Sequence, residues 1–274
     1  MLKVLGVSRS GYRAFFKRKM SATAKHKNSI KKEILKIYND SKQNYGAPKI
    51  TKALQKSGVT ISQRTVGKYM REMGIKAQWI KPWTTTTKDS DFSSELHNIL
   101  DEQFNPERPN AVWCTDITYI WTQEGFVYLN CVMDLFARKI IAWTLSDTME
   151  VSAVIKTIEN AKAIRNTDLP LIIHTDRGSQ YVSQAWREAT KNMQRSYSHK
   201  GYPYDNACIE SFHSLIKREW LNRFNIKNYR HAYNLIFEYI ETFYNTVRIH
   251  SHCDYMSPDE FEKLYERVKS LPAA

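Results

Sequence analysis

Three acidic residues stand in surroundings suited to metal-assisted chemistry on phosphates. Asp116 lies in VWCTDITYIW, Asp176 in LIIHTDRGSQY and Glu210 in GYPYDNACIESFHSLIKRE. The first two fall in apolar, β-prone runs, and the third falls early in a helical stretch. A carboxylate inside an apolar strand is costly unless it is paired, protonated or bound to a cation. Three hard oxygen ligands with open positions suit Mg²⁺ or Mn²⁺. Two such ions, about 3.5–4 Å apart, would activate an attacking oxygen and stabilise the leaving oxygen of an in-line displacement. Each acid also has a plainer reading: Asp116 paired with an arginine, Asp176 capping the turn at Arg177-Gly178, Glu210 as helix surface. Any one alone reads that way; three together in matching contexts favour a site. Lys217 follows Glu210 by seven residues, about 20° away around a helix. It therefore offers a cation to a substrate phosphate from the same face, or else is a solvated helix lysine. His213 and Ser214 share that face in part, and Asp205 or Asn206 is placed to cap the helix. Asp134, at a strand end, reads as structural and paired with Arg138.

The elements that must hold these acids follow from periodicity. AVWCTDITYIWT, FVYLNCVMDLFA and KIIAWTLSD predict three strands joined by tight turns. VSAVIKTIENAKAIRN predicts a helix, LPLIIHTD a fourth strand, SQAWREATKNM a helix, MQRSYS a short fifth strand and NACIESFHSLIKREWL another helix. A meander followed by alternating helices and strands makes a mixed α/β sheet. In that order the strands bearing Asp116 and Asp176 become neighbours. NYRHAYNLIFEYIETFYNTV predicts one long packing helix. Ser257-Pro258-Asp259-Glu260 predicts a capping box opening the last one.

The front of the chain is different in charge. Residues 1–90 hold 21 Lys/Arg against four Asp/Glu, whereas the remainder holds 20 against 24. A basic module joined to a mildly acidic one predicts a polyanion partner, with nucleic acid first. Residues 1–20 predict a short basic helix with an apolar face, 21–29 a linker, and 29–40 a helix. YGAPKITKALQKSG has Pro48 in a first turn and Gly58 at a stop; Ser62 caps QRTVGKYMREMG, which ends at Gly74. Two short helices joined by a tight turn form a helix-turn-helix pattern. Arg64, Lys68 and Arg71 share one face of its second helix and are the candidates for DNA contact; an ordinary bundle with a solvated basic face is the alternative. No apolar run reaches the roughly 18 residues of a membrane span, and the N-terminus lacks the apolar core of a signal peptide. Four scattered cysteines without CxxC spacing predict reduced thiols in the cytosol. His250, His252 and Cys253 lack a fourth zinc ligand at suitable spacing.

At these residues the chain resembles the second-reading-frame transposase of the insertion-sequence-three family. The resemblance runs nearly end to end. It is carried by VLGVSRSGYRAF, NYGAPKITKAL with VGKYMREMGI, WCTDITYI, VMDLFARKIIAW, HTDRGSQY, HKGYPYDNACIESFHSLIKRE and YNTVRIHSHCDYMSP. It implies a retroviral-integrase-like core of RNase H-like fold, spanning 106–220. Before the core come a basic helix and linker (1–28), a helix-turn-helix domain (29–77) and a linker (78–105); after it comes a helical extension (221–274). It implies Asp116, Asp176 and Glu210 as a catalytic triad binding two divalent metals, with Lys217 touching the transposon end. The implied reaction is hydrolytic nicking that frees a 3′-hydroxyl, followed by direct strand transfer. The implied partners are the element's terminal inverted repeats, target DNA and further copies in a synaptic complex, with action in the bacterial cytosol and nucleoid. Family members are usually fusions in which an upstream frame supplies a further helix-turn-helix and a coiled coil, which leaves open that this chain is a partial product acting with such a fusion. One departure stands out: 33 residues separate Asp176 from Glu210, two fewer than is usual in the family, with the shortening near Lys191-Asn192-Met193.

Three other readings compete. A nuclease of the same fold would cut without joining. A DNA-binding regulator would keep the fold with a silent core, against which the three retained acids argue. A tyrosine recombinase would use His174, Arg177 and Tyr202 or Tyr204, but that chemistry needs its HxxR motif on a helix, not at a strand end.

Overall fold

The computed structural model describes residues 6, 8–17, 19–78, 96–165, 171–199 and 202–270. Two compact units divide the chain, Met1–Ala77 and Gln78–Ala274.

The first unit contains α1 (Arg9–Lys17), α2 (Ala22–Asp40), α3 (Ala47–Lys56) and α4 (Gln63–Glu72). The linker expected over 21–29 is instead the first turns of α2. Ser21 is extended and its hydroxyl accepts the Ala24 N–H at 3.1 Å, a cap that starts the helix before its apolar stripe begins. Ile30, Ile34 and Tyr38 then anchor α2 in a core with Ile50 and Leu54 of α3 and Val66 and Met70 of α4. Gly58 and Gly74 take φ +86° and +67° just past α3 and α4, the left-handed stops expected of glycine there. Ser62 caps α4 through the Thr65 N–H. Lys27 and Lys31 donate to Glu72 at 2.7 and 2.8 Å, tying α2 to α4 and holding the Glu72 carboxyl down at about 2. Most of the expected interdomain linker, residues 79–95, lies outside the described residues.

The second unit is built on β1 (Val112–Thr122), β2 (Gly125–Asp134) and β3 (Lys139–Ser146), an antiparallel meander. Gly125, at φ +124°, makes the first tight turn. The chain continues through α5 (Val151–Arg165), β4 (Ile172–Thr175), α6 (Ser179–Val182), α7 (Gln184–Ala189), β5 (Gln194–Tyr197) and α8 (Ala207–Glu219). The last helices are α9 (Tyr229–Tyr239) and α10 (Pro258–Ser270). The sheet order is β3-β2-β1-β4-β5, with β4 parallel to both β1 and β5. This is the mixed five-stranded sheet that the sequence pattern predicts, in the RNase H-like form that the family resemblance implies. Trp113, Val132, Ile141 and Ile173 on one sheet face pack with Val154, Ile158 and Ala161 of α5 and with Tyr181 and Trp186.

Four local expectations are corrected. Asp134 does not pair with Arg138. Its carboxylate accepts the Asn110 and Phe136 N–H groups at 2.8 and 3.0 Å and lies 3.7 Å from Arg165. Arg138, at φ +56°, turns away and donates to the Phe104 and Leu135 carbonyls. Neither Asp205 nor Asn206 caps α8 through its side chain. Asp205 instead accepts the backbone and ring N–H of His199, because a short 3₁₀ turn (Pro203–Asn206) intervenes. The helix predicted over 228–247 widens at Ile240–Tyr244 into a π turn. That turn swings Asn245 inward, where its amide both accepts from Ile140 N–H and donates to Ile140 C=O. Finally, the sequence pattern starts a helix only at Ser183, whereas α6 forms before it at Ser179–Val182. The capping box of α10 forms as expected: Ser257 and Glu260 exchange side-chain-to-backbone bonds at 3.1 and 3.3 Å.

Candidate active site

Asp116 sits mid-strand on β1, opposite Cys131 of β2, and is half-buried. Asp176 directly follows β4. Strand β4 pairs with β1 in the register Val112↔Ile172, Trp113↔Ile173 and Cys114↔His174. Both acids lie two residues beyond the last of these pairs, on neighbouring strands. The backbone of the following turn fixes Asp176, whose Oδ1 accepts the Gly178 N–H at 2.9 Å. The capping role considered for Asp176 is therefore real, and it orients the carboxylate. Gly178 is needed for space: a Cβ there would come 3.0 Å from that same oxygen.

Glu210 occupies the first turn of α8 and reaches solvent. Its pKa is raised, first by partial burial and then by the negative charges of Asp116 and Asp176. The three acids thus act on one another, although they come from β1, from the end of β4 and from a helix more than thirty residues later. One turn further along α8, buried His213 brings Nδ1 to 3.3 Å from Asp116 Oδ2. Two turns along, the Lys217 ammonium lies 4.5 Å from the Tyr119 ring centroid. Burial lowers the Lys217 pKa, and Asp116 pulls it back upward. Asn206 is buried at the start of the helix without a capping bond.

Two neighbours carried no signal of their own. Tyr181 of α6 is fully buried, 3.4 Å from the Thr115 hydroxyl, and its phenol is pushed up by burial and by the fields of Asp116 and Asp176. Tyr119 was one aromatic residue among several in a strand. Only the packing of α6 brings Tyr181 into the field of the acids, and only that of α8 brings Lys217 over Tyr119.

The donor set fits a hard divalent cation. Three carboxylates repel one another, and an ion held between them would relieve that repulsion. They are not closed into a cage: among the described residues, no group of three His, Cys, Asp or Glu side chains is gathered tightly enough to hold an ion unaided. The other candidate ligands have separate duties. His252 Nε2 faces the Phe136 carbonyl at 2.9 Å, Cys253 donates to the Ala137 carbonyl, and His250 Nε2 faces Arg248. His174 is equally committed, between the Ser196 and Ser198 hydroxyls, with its pKa lowered to about 4 by burial. Arg177 donates to the Ser198 and Leu96 carbonyls. The recombinase reading loses both residues to structure.

Arg64, Lys68 and Arg71 are exposed on α4, opposite its buried Val66 and Met70. No described helix is long and apolar enough to cross a membrane.

Comparison with known proteins places these features in a family. Residues 25–83 match an HTH-like domain, and residues 106–203 and 191–258 match two integrase core domain models. The chain is 38% identical over 244 residues to the transposase for insertion sequence element IS904 of Lactococcus lactis, covering 86% of this chain and 96% of that protein. It is 34% identical over 266 residues to the transposase InsF for insertion sequence IS3A of Escherichia coli, covering 96% and 92%. Among solved structures, the HTLV-2 integrase catalytic core domain in complex with magnesium aligns at 17% identity with a TM-score of 0.44, covering 57% of this chain and 98% of that one.

Proposed function

Since the chain belongs to the IS3 family of transposases and is a DNA transposase of the integrase-core class, we propose that Asp116, Asp176 and Glu210 are its catalytic acids. The observation that carries this is convergence: Asp116 and Asp176 stand on neighbouring strands, and α8, which bears Glu210 in its first turn, is held to Asp116 through His213 at 3.3 Å. Divalent metal is the general requirement of such a core, and we infer Mg²⁺ or Mn²⁺, two ions, held by these carboxylates. Bound there, they supply charge to activate the attacking oxygen and to neutralise the leaving one. The chain's own residues do the rest. Gly178 N–H fixes the Asp176 carboxylate, His213 steadies Asp116, and Lys217 offers its ammonium to a phosphate beside them.

In the first step the oxygen of water attacks phosphorus at the element's end, and the P–O3′ bond breaks, leaving a 3′-hydroxyl and a 5′-phosphate. In the second that hydroxyl loses its proton and attacks a target phosphodiester, whose own P–O3′ bond breaks as the leaving oxygen takes up a proton. One phosphodiester replaces another, so no external energy source is required. The helix-turn-helix unit, residues 29–77, would bind the terminal repeats through Arg64, Lys68 and Arg71. Synapsis would join several copies in the bacterial nucleoid, with an upstream-frame product as a further partner. Residues 106–220 would form the catalytic core and 221–274 its supporting extension.

The test is substitution. Asp116→Asn, Asp176→Asn and Glu210→Gln are each expected to abolish nicking and joining of end DNA with Mg²⁺ or Mn²⁺, while melting temperature and DNA binding stay unchanged. A Glu210→Gln protein that still nicks overturns the assignment. Labelled ends that are cut but never joined would favour a nuclease.

A further inference from the structure

The β1–β2 hairpin carries three large aromatic side chains where a solvent face ordinarily carries polar ones. Tyr119 is 47% exposed, Trp121 62% and Phe126 49%. Along β1, Tyr119 and Trp121 alternate with buried Thr118, Ile120 and Thr122, so the two share one face. Phe126 lies opposite Trp121 in register. Its ring centroid is 4.8 Å from that of Trp121 and 5.4 Å from that of Tyr119, both in edge-on contact. Each edge-on contact covers one face of one ring, and the half-exposed rings keep surface for a further flat partner.

The patch lies on the sheet face opposite Asp116, and Lys217 links the two. Pairing of β4 covers β1 only at Val112–Cys114, so β4 leaves the edge of β1 beyond Asp116 unpaired. Asp116 and Tyr119 point to opposite sheet faces, and Lys217 bridges them at that edge, within the field of Asp116 and over the Tyr119 ring. Two features argue against a protein as the occupant. Lysine is depleted at the centres of protein interfaces. Three half-exposed rings also offer about 300 Å², well short of the roughly 800 Å² per partner of a stable protein interface. An ammonium beside open aromatic faces is instead the combination that holds unpaired nucleic acid, with phosphate on the cation and bases on the rings.

We propose that Tyr119, Trp121 and Phe126 form a stacking platform for unpaired bases of the DNA strand leaving the candidate active site. The proposal rests on the catalytic reading above. Three to five residues of strand separate Asp116 from these rings, about 10 to 17 Å. A DNA strand advances 3.4 Å per nucleotide, so the stacked bases lie about three to five nucleotides from the scissile phosphate. The platform acts by favouring an opened end over a fully paired one.

The experiment uses the full chain and an end duplex carrying 2-aminopurine at the third to fifth nucleotides from the cleaved bond. The parent protein is expected to change the probe's fluorescence by stacking and to bind an unpaired end more tightly than a blunt one. Trp121→Ala with Phe126→Ala is expected to lose that signal and about tenfold of the affinity for the unpaired end. Its melting temperature and its affinity for an internal duplex should be unchanged, and Trp121→Phe should restore most of the signal. Equal fluorescence and affinity in parent and double variant would overturn the proposal. So would a double variant whose change is confined to its sedimentation, which would make the patch a contact between copies. Asp116→Asn separates the two readings. A stacking signal retained in that protein supports the platform whatever the nicking assay shows, and nicking by Asp116→Asn would sink the catalytic assignment alone.

Discussion

A methyl group at residue 178 would stand 3.0 Å from Asp176 Oδ1 and 3.3 Å from Gln180 Oε1. The glutamine can swing aside; the carboxylate, held by the Gly178 N–H, would have to move. Gly178 has a negative φ at the start of α6, so alanine brings no backbone strain. Gly178→Ala is therefore expected to slow end cleavage by about tenfold or more, as small displacements of reacting groups do. Its unfolding free energy should change by no more than about 0.5 kcal/mol. Parallel cleavage assays and urea melts would check this. Asp134 gives a pH prediction. It is fully buried, and burial raises its pKa from 3.8 to about 6 despite two backbone donors and nearby Arg165. An acid raised in the folded state binds its proton more tightly there than in the unfolded chain. Its contribution to stability is thus full below pH 3.8 and is lost as pH rises towards about 6. The loss is roughly 3 kcal/mol. Asp134→Asn is expected to flatten the stability–pH curve between pH 4 and 6 in urea melts.

Among the elements, α8 matters most, since it carries Glu210, His213 and Lys217. Its far end is locked by a buried ion pair. Arg248 donates to both oxygens of Glu219 at 2.8 and 2.7 Å, and the Tyr239 hydroxyl donates to one of them at 2.8 Å. Burial works against the charge on Arg248, but Glu219 outweighs it and raises its pKa. Removing one partner strands the other charge in the interior. Arg248→Met is expected to cost about 3–5 kcal/mol in urea unfolding, whereas Arg248→Met with Glu219→Leu should recover most of it. The C-terminal residues are thus structural to the helix that bears the third acid. Sequence periodicity read α8 almost to its ends because its apolar positions recur regularly. The π turn after α9 escaped, since the reason for it is the Ile140 backbone more than a hundred residues away.

At the scale of the molecule, charge divides the chain. The basic excess lies in residues 1–90, and Arg64, Lys68 and Arg71 stand exposed there. Binding to end DNA is expected to weaken steeply with salt, in proportion to the phosphates contacted. Alanine at Arg64, Lys68 or Arg71 should each lower the slope of log affinity against log salt by about 1 if that side chain meets a phosphate. Titrations at several salt concentrations would read this directly, and a slope unchanged in all three would remove α4 from the interface.

The amino-acid sequence alone determined the strand order, most of the helices, the mixed sheet and the family, and it singled out the three candidate acids. Those are local patterns, or motifs long enough to be read in one dimension. Only tertiary structure decided who stands beside whom. Asp134 found Arg165 and not Arg138, because a left-handed backbone at Arg138 sent its side chain elsewhere. Tyr181 came into the field of the acids through α6, and Lys217 came over the Tyr119 ring through α8. Such pairings depend on burial and on the crossing of distant segments, and a linear chain carries no record of either until it has folded.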